Sequence, residues 1–307
     1  MTSITGASGA SVAWSRGRDR KAVAGSAQAP LSSKPGSGRS NLVLRILSAL
    51  VLAPLAIGAA WYGGVPFALF WGLAAFGVWW EWSSLVAVAA ARMVMFTGVG
   101  ALGLALALST TGRYLAALIV IFLGAAATNV VAPAGRGIWV GLGVIYAGSL
   151  LMAPLVVRQD PQWGFAAIIL LFGVVWATDI VAYFAGRAIG GPKLWPSVSP
   201  NKTWSGALAG AAAAALTGWV LARFVSPGDE WHVLVVGLGL SIAAQAGDLF
   251  ESSVKRRFDA KDSSHIIPGH GGLMDRLDGF IIAAVLAAVY GVGRAGISHA
   301  GQGLLQW

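Results

Sequence analysis

Apolar stretches of about 20 residues recur along this chain, and they constrain its fold more than any other feature. A helix needs roughly 20 apolar residues to cross a hydrocarbon core of about 30 Å, and irregular backbone is excluded from lipid. Only 11% of the residues are charged, against about 25% in soluble domains. The alternating segments of about ten residues that are typical of a β-barrel are missing. The sequence therefore predicts an all-α, polytopic transmembrane helical bundle.

Nine membrane spans are predicted from the apolar pattern. Residues 1–41 precede them and are rich in Gly, Ser, Ala and Pro, which predicts a disordered, basic N-terminal tail. Residues 42–307 are expected to form one membrane-embedded domain. The predicted spans are 43–61, 65–88, 93–110, 113–131, 137–157, 163–186, 204–225, 232–250 and 278–293.

The basic residues give the predicted bundle an orientation. With nine spans, 17 of the 21 Lys and Arg residues lie in or beside the tail, or in loops on the tail's side. The positive-inside rule makes that side cytoplasmic, so we expect a multi-pass protein of the cytoplasmic membrane. Basic charge placed in this way does not indicate a nucleic-acid-binding protein. The absence of cysteine excludes disulfides and thiolate metal sites.

Charge is concentrated in the segment 247–278, which holds six of the twelve acidic residues. Asp248 lies near the end of the eighth span, while Asp275 and Asp278 are three residues apart at the start of the ninth. Carboxylate oxygens and substrate phosphates are the ligands that Mg²⁺ prefers. Zinc is disfavoured because no HExxH or comparable spacing is present. The sequence therefore predicts that these three residues bind Mg²⁺, alone or with a second cation.

Two acidic residues lie inside predicted spans, where a carboxylate is expensive unless it is paired, hydrated or metal-bound. Asp179, in the sixth span, is expected to line a functional cavity and to share a helix face with Tyr183 and Gly186. A structural bond to a neighbouring helix is the alternative. Glu81, among the tryptophans of the second span, is interpreted as a structural partner or an interfacial residue.

Two loops are candidates for binding phosphate. Ser199, Lys202 and Thr203 belong to an SPNKT sequence that leads into the seventh span, where free backbone N–H groups and the helix dipole favour an anion. Ordinary helix capping would also explain this sequence. The PGHGG sequence at 268–272 contains glycines that allow backbone N–H groups to approach an anion as a phosphate nest.

The residues at 253–256, 261–262 and 268–278 resemble, in order and spacing, the signature of the phosphatidate cytidylyltransferases, also called CDP-diacylglycerol synthases. The segment 179–190 and the SPNKTW loop resemble the same family, whereas the N-terminal spans match it only in general character. The resemblance implies a multi-spanning, Mg²⁺-dependent, dimeric nucleotidyltransferase of phospholipid biosynthesis. It would transfer CMP from CTP to phosphatidate, releasing pyrophosphate, at an active site that faces the cytoplasm.

The family resemblance also implies roles for individual residues. Where the family usually has Lys and Glu in the SPNKTW loop, this chain has Asn201 and Ser205, so the roles of those two positions are not carried over. Four residues are expected to be catalytic and nine to bind substrate. The catalytic set is Asp248, Lys255, Arg256 and Asp275, and the substrate-binding set is Asp179, Ser199, Lys202, Thr203, Lys261, His270, Gly271, Gly272 and Arg276.

Two other functions remain open. A CTP-dependent kinase of a polyprenol or another lipid alcohol would use a similar membrane and nucleotide arrangement, and the two enzymes would differ in which phosphate of CTP enters the lipid. A membrane transporter would also place Asp in its spans and interrupt helices with Gly. The polar residues here crowd toward one side of the membrane, and no convincing inverted repeat is present, which disfavours transport. The expected partners are CTP, phosphatidate, membrane lipid and a second copy of the chain.

Overall fold

The computed structural model describes residues 37–86, 91–264 and 271–307. The predicted tail as far as residue 36, together with His270, lies outside the described residues. The described chain is almost entirely helical. Its helices are α1 (Ser37–Tyr62), α2 (Gly64–Val86), α3 (Ala91–Thr110), α4 (Tyr114–Val131), α5 (Gly137–Arg158), α6 (Gly164–Ile189), α7 (Trp204–Val225), α8 (Glu230–Arg257), α9 (Met274–Ala295) and α10 (Ala300–Leu305).

The first nine helices confirm the predicted all-α polytopic bundle, because each predicted span falls on one of them. Among the described residues, seven helices, α3 to α9, are long and apolar enough to cross a membrane. Helix α2 carries four tryptophans and Glu81, which lowers its mean hydropathy. The boundaries differ most at the end of α8, which continues to Arg257, and at the start of α1, which begins at Ser37 within the predicted tail; α9 also begins before its predicted span, at Met274.

A short β-hairpin and the C-terminal α10 were not predicted. The hairpin pairs β1 (Lys193–Trp195) with β2 (Ser199–Thr203) in antiparallel orientation. It follows α6 directly, after Gly190 and Gly191 with φ of 67° and 100°, values that glycine adopts without steric cost. Because β2 runs straight into α7, the hairpin fixes where the SPNKT residues enter that helix.

Helix α2 packs its indole side chains into the core. Trp71, Trp79 and Trp82 are all fully or almost fully buried. The Trp71 ring stacks on Phe280 of α9 with centroids 4.7 Å apart, and Trp82 Nε1 donates a hydrogen bond to the Trp139 carbonyl of α5 at 2.8 Å. These contacts hold α2 against α5 and α9, and they place Glu81 beside the start of α9.

Candidate active site

A cavity of about 620 Å³ lies where α6, the hairpin, α7 and α8 meet. Asp179 of α6, Lys202 of β2 and Asp248 of α8 line it. Tyr183 and Gly186 line it as well, so the predicted common face of Asp179, Tyr183 and Gly186 is confirmed. Three segments that are distant in the sequence therefore contribute polar side chains to one cavity.

Close packing of α6 and α7 forms one wall of this cavity. A Cβ atom at Gly206 would lie 2.6 Å from the Ala182 carbonyl oxygen, and one at Gly210 would lie 2.8 Å from the Thr178 carbonyl oxygen. These distances leave no room for a larger side chain. The Thr203 hydroxyl accepts a hydrogen bond from the Gly206 backbone N–H at 3.2 Å, as an N-cap of α7. The capping interpretation of this loop is therefore confirmed for Thr203.

Glycines also bring α8 and α9 together. A Cβ atom at Gly247 would lie 2.6 Å from the Asp278 carbonyl oxygen, and one at Gly279 would lie 3.1 Å from the Ala244 carbonyl oxygen. Asp248 and Asp278 directly adjoin these two glycines in the sequence. The close approach of the two helices therefore places their carboxylates in the same region.

We call the resulting group of Asp179, Lys202, Asp248, Arg276 and Asp278 the cavity charge cluster. Asp248 forms an ion pair with Lys202. Asp278 interacts electrostatically with Asp248, and also with Asp179 and Lys202. Asp179 interacts with Lys202 and Arg276 as well. The cluster therefore contains three carboxylates and two cations that interact electrostatically with one another. They are contributed by α6, β2, α8 and α9.

A second group, which we call the Lys255 cluster, consists of Lys255, Glu251, Asp275 and the loop that precedes α9. Lys255 Nζ lies 2.7 Å from the fully buried Glu251 carboxylate and 2.6 Å from Asp275 Oδ1. Asp275 Oδ2 accepts hydrogen bonds from the backbone N–H of Gly272 at 2.9 Å and of Ser263 at 3.2 Å. Asp275 therefore joins the end of α8 to the loop and to the first turn of α9.

Glu81 of α2 binds the same loop and the start of α9 through hydrogen bonds. Its carboxylate, which has no exposed area, accepts hydrogen bonds from the Ser263 and Ser264 hydroxyls at 3.1 and 2.5 Å. It also accepts from the backbone N–H groups of Leu273 and Met274 at 2.8 and 2.6 Å. A carboxylate at a helix N-terminus satisfies free N–H groups and favours the helix dipole. The interpretation of Glu81 as a structural partner is confirmed.

The three predicted metal ligands belong to two adjoining groups, which Asp278 links because it also interacts electrostatically with Glu251. Asp248 and Asp278 belong to the cavity charge cluster, whereas the Asp275 oxygens are bound by Lys255 and backbone N–H groups. In the described ranges, no group of three His, Asp or Glu side chains is arranged to hold a metal ion. The ligand role of Asp275 stays a prediction.

The other predicted site residues lie around these two clusters. Ser199 is half-buried in β2, and Lys261 is exposed in the loop after α8. Arg256 is exposed and donates a hydrogen bond to a backbone carbonyl of that loop at 3.3 Å. Gly271 has a φ of 81°, which suits the backbone of a phosphate nest. His270 lies outside the described residues, and the substrate contacts of all five residues stay predictions.

Sequence reasoning missed two cations of the cavity, Arg187 and Lys193, which line it beside the residues named above. Arg187 lies within the family-like segment 179–190 and Lys193 lies between it and the SPNKTW loop, and these positions could have identified them. The structure also accounts for the two departures from the family pattern. Asn201 lines the cavity, and the Ser205 hydroxyl donates a hydrogen bond to the Gly190 carbonyl, so Ser205 secures the hairpin to the end of α6.

Gly272→Ala is expected to destabilise the protein. The new Cβ atom would lie 2.8 and 2.9 Å from the two Glu81 carboxylate oxygens and would overlap the Ser263 hydroxyl. Overpacking of this kind typically costs about 1–3 kcal/mol, so the Tm of the detergent-solubilised protein should fall. Gly100→Ala in α3 is the matched control, because no atom lies within 4 Å of the new Cβ there. Equal Tm values for the two variants would contradict the tight packing at Gly272.

Comparison with known proteins agrees with this geometry. Residues 43–292 match the model of the cytidylyltransferase family. The chain is 45% identical over 258 residues to a phosphatidate cytidylyltransferase of Brucella abortus, covering 82% of this chain and 94% of that protein. It is 41% identical over 145 residues to a phosphatidate cytidylyltransferase of Bacillus subtilis, covering 47% of this chain and 54% of that protein. The match spans the helices that build both charge clusters, and the chain belongs to the cytidylyltransferase family.

Proposed function

We propose that this protein transfers CMP from CTP to phosphatidate, forming CDP-diacylglycerol and pyrophosphate. One observation carries the proposal beyond family membership: two of the segments that resemble phosphatidate cytidylyltransferases, 179–190 and the SPNKTW loop, meet at one cavity with the helix that leads into the third. Asp179 and Lys202 come from the first two segments, and Asp248 lies in α8 just before the third; all three line the cavity. A nucleotide and a lipid headgroup both need a charged site at the end of a membrane bundle, and this cavity supplies one.

The chemistry requires little more than positioning and charge neutralisation. An oxygen of the phosphatidate phosphate attacks the α-phosphorus of CTP, and a new P–O bond forms. The bond between the α-phosphorus and the oxygen that bridges it to the β-phosphorus breaks, and pyrophosphate leaves. Because the lipid phosphate is already ionised at neutral pH, no strong general base is needed. Lys202, Lys255 and Arg276 would hold phosphate oxygens, and the acyl chains would remain in lipid.

The carboxylate oxygens of the site suit a divalent cation. Five carboxylates face three cations in the two clusters, and two further cations, Arg187 and Lys193, line the cavity, so it is these oxygens, and not an excess of negative charge, that favour Mg²⁺. Mg²⁺ commonly uses one or two carboxylates and completes its shell with water and substrate phosphates, so a group of three carboxylates is not required. Asp248 and Asp278 would hold it, and when bound it would offset phosphate charge on CTP. The carboxylates are Asp179, Asp248, Glu251, Asp275 and Asp278, and the cations are Lys202, Lys255 and Arg276.

We further propose that the site faces the cytoplasm in the cytoplasmic membrane. The support is the distribution of charge: with the helix order α1 to α9, the loops that carry the clusters lie on the side with most Lys and Arg residues. The homodimer that the family resemblance implies also stays a proposal.

The test is an assay of the purified protein with phosphatidate, Mg²⁺ and CTP labelled at either the α- or the γ-phosphate. We expect the α-label to enter the lipid phase and the γ-label to remain in water as pyrophosphate. Entry of the γ-label into a lipid alcohol would instead indicate a CTP-dependent kinase. No labelled lipid from a well-folded preparation would contradict both enzyme assignments and reopen the transporter alternative.

A further inference from the structure

Tyr146 of α5 carries a buried hydroxyl group that has no hydrogen-bond partner among the described residues. The residue is 5% exposed. Its ring packs between Trp82 and Phe250, with centroid distances of 5.1 and 5.9 Å. Burying a hydroxyl without a partner costs free energy, and such exceptions are rare in folded proteins. Phenylalanine would fill the same space without this cost, so the hydroxyl calls for an explanation.

The surroundings of this hydroxyl point to the active site. Phe250, on which the ring packs, lies in α8 between the acidic residues of the two clusters. A phenol hydroxyl can donate one hydrogen bond, and a carboxylate is a strong acceptor for it. Asp278 lies beside this part of α8, because a Cβ atom at Gly247, one helical turn before Phe250, would be 2.6 Å from the Asp278 carbonyl oxygen.

Asp278 is the carboxylate best suited to accept this bond. Asp248 is ion-paired with Lys202, and Glu251 and Asp275 are ion-paired with Lys255, although neither Glu251 oxygen has a hydrogen-bond partner among the described residues. Within the described residues, Asp278 forms no ion pair. The hydrogen bond that it accepts there comes from the backbone N–H of its neighbour Gly279, at 2.8 Å. In the part of the chain that the structure describes, an unpaired hydroxyl donor and a carboxylate that forms no ion pair therefore lie in the same region of the protein.

We propose that Tyr146 is a positioning residue, whose hydroxyl donates a hydrogen bond to Asp278 when a cation or nucleotide occupies the site. The inference rests on the proposed function, because Asp278 is there expected to contribute to binding Mg²⁺ and CTP. Tyr146 would thereby couple α5 to the N-terminal part of α9. Its hydroxyl, which has no partner among the described residues, would gain one in the working enzyme.

The test is Tyr146→Phe, which removes only the hydroxyl and keeps the aromatic packing. Loss of an unsatisfied buried group should leave Tm unchanged or raise it. At the same time kcat should fall about 10- to 100-fold, the effect of losing one hydrogen bond to a charged group. The affinity of the ligand-free protein for Mn²⁺, measured by electron paramagnetic resonance, should fall as well. A residue that only packs the core would not lower activity while preserving stability.

Ser226→Ala provides the matched control. Its hydroxyl is also buried and without a partner among the described residues, but it lies in the turn between α7 and α8, at the other end of those helices from the cavity residues. Its removal should leave both kcat and Mn²⁺ affinity unchanged. A wild-type kcat or a wild-type Mn²⁺ affinity in Tyr146→Phe would overturn the proposal. If the wild-type protein labels no lipid, the proposed function fails, and the Mn²⁺ comparison alone decides the role of Tyr146.

Discussion

Asp275→Asn is expected to abolish nearly all cytidylyl transfer while the protein still inserts and folds. The carboxylate accepts from Lys255 Nζ at 2.6 Å and from the backbone N–H groups of Gly272 and Ser263. Asparagine keeps the shape but loses the charge, and its NH₂ group would face one of these donors. Removing one partner of a buried ion pair costs about 3–5 kcal/mol. If the transition state loses the same stabilisation of about 3–5 kcal/mol, turnover at saturating Mg²⁺ falls about 10²- to 10⁴-fold.

Asp259→Asn is the matched control for this variant. Asp259 is exposed in the loop after α8 and has a φ of 55°, a conformation that asparagine tolerates well. The same chemical change should there leave turnover near the wild-type value. Near-normal turnover of a folded Asp275→Asn protein would remove Asp275 from the catalytic machinery. A double variant with Lys255→Gln should show less than additive losses if the pair acts as one unit.

The helices could be predicted from the sequence because bilayer thickness sets the length of an apolar span. The pattern of hydropathy marks where the chain leaves lipid, and it does not mark where a helix ends. Helix α8 therefore continues to Arg257, and α9 begins at Met274, beyond the predicted spans. The hairpin was missed because its second strand, the SPNKT sequence, lacks the alternation of apolar and polar residues that identifies strands.

The residue types of the site could be predicted, but their pairing could not. Acidic residues near the ends of two spans indicated Asp248 and Asp278, and the structure shows them in one cluster. The binding of Asp275 to Lys255 and to the Gly272 N–H, and the close contact of α8 with α9 at Gly247, depend on how the backbone packs. Backbone contacts of this kind leave no trace in the spacing of charges along the sequence.

Glu81 is the clearest case of a residue whose partners could not be predicted from the sequence. Its position inside an apolar stretch marked it as a residue that needs a partner. Its four hydrogen-bond donors lie in the loop before α9 and at the start of that helix, more than 180 residues away in the sequence. A single sequence gives no measure of distance between such positions. The structure therefore adds a supporting residue from a helix that shows only general resemblance to the family.

Glu230→Gln is the control for testing this support, because it makes the same chemical change at the opposite end of α8. Glu230 lies 3.7 Å from the exposed Arg223 guanidinium and accepts a hydrogen bond from the Gly228 backbone N–H. Ion pairs of this kind contribute about 0–1 kcal/mol. We expect Glu230→Gln to change stability and activity little, so it reports the background effect of replacing a glutamate by glutamine.

Glu81→Gln is expected to reduce both stability and activity strongly. Glutamine offers one carbonyl oxygen where the buried carboxylate accepts four hydrogen bonds, and its NH₂ group would face donors such as the Leu273 and Met274 N–H groups. Each hydrogen bond lost to a charged acceptor costs about 1.5–3 kcal/mol. The first turn of α9 should therefore loosen, lowering Tm and reducing kcat for CMP transfer, because Asp275 lies in that turn and Asp278 directly follows it. Wild-type kcat together with a lowered Tm would limit Glu81 to a role in stability. Wild-type values of both would show that the four hydrogen bonds do not hold the site.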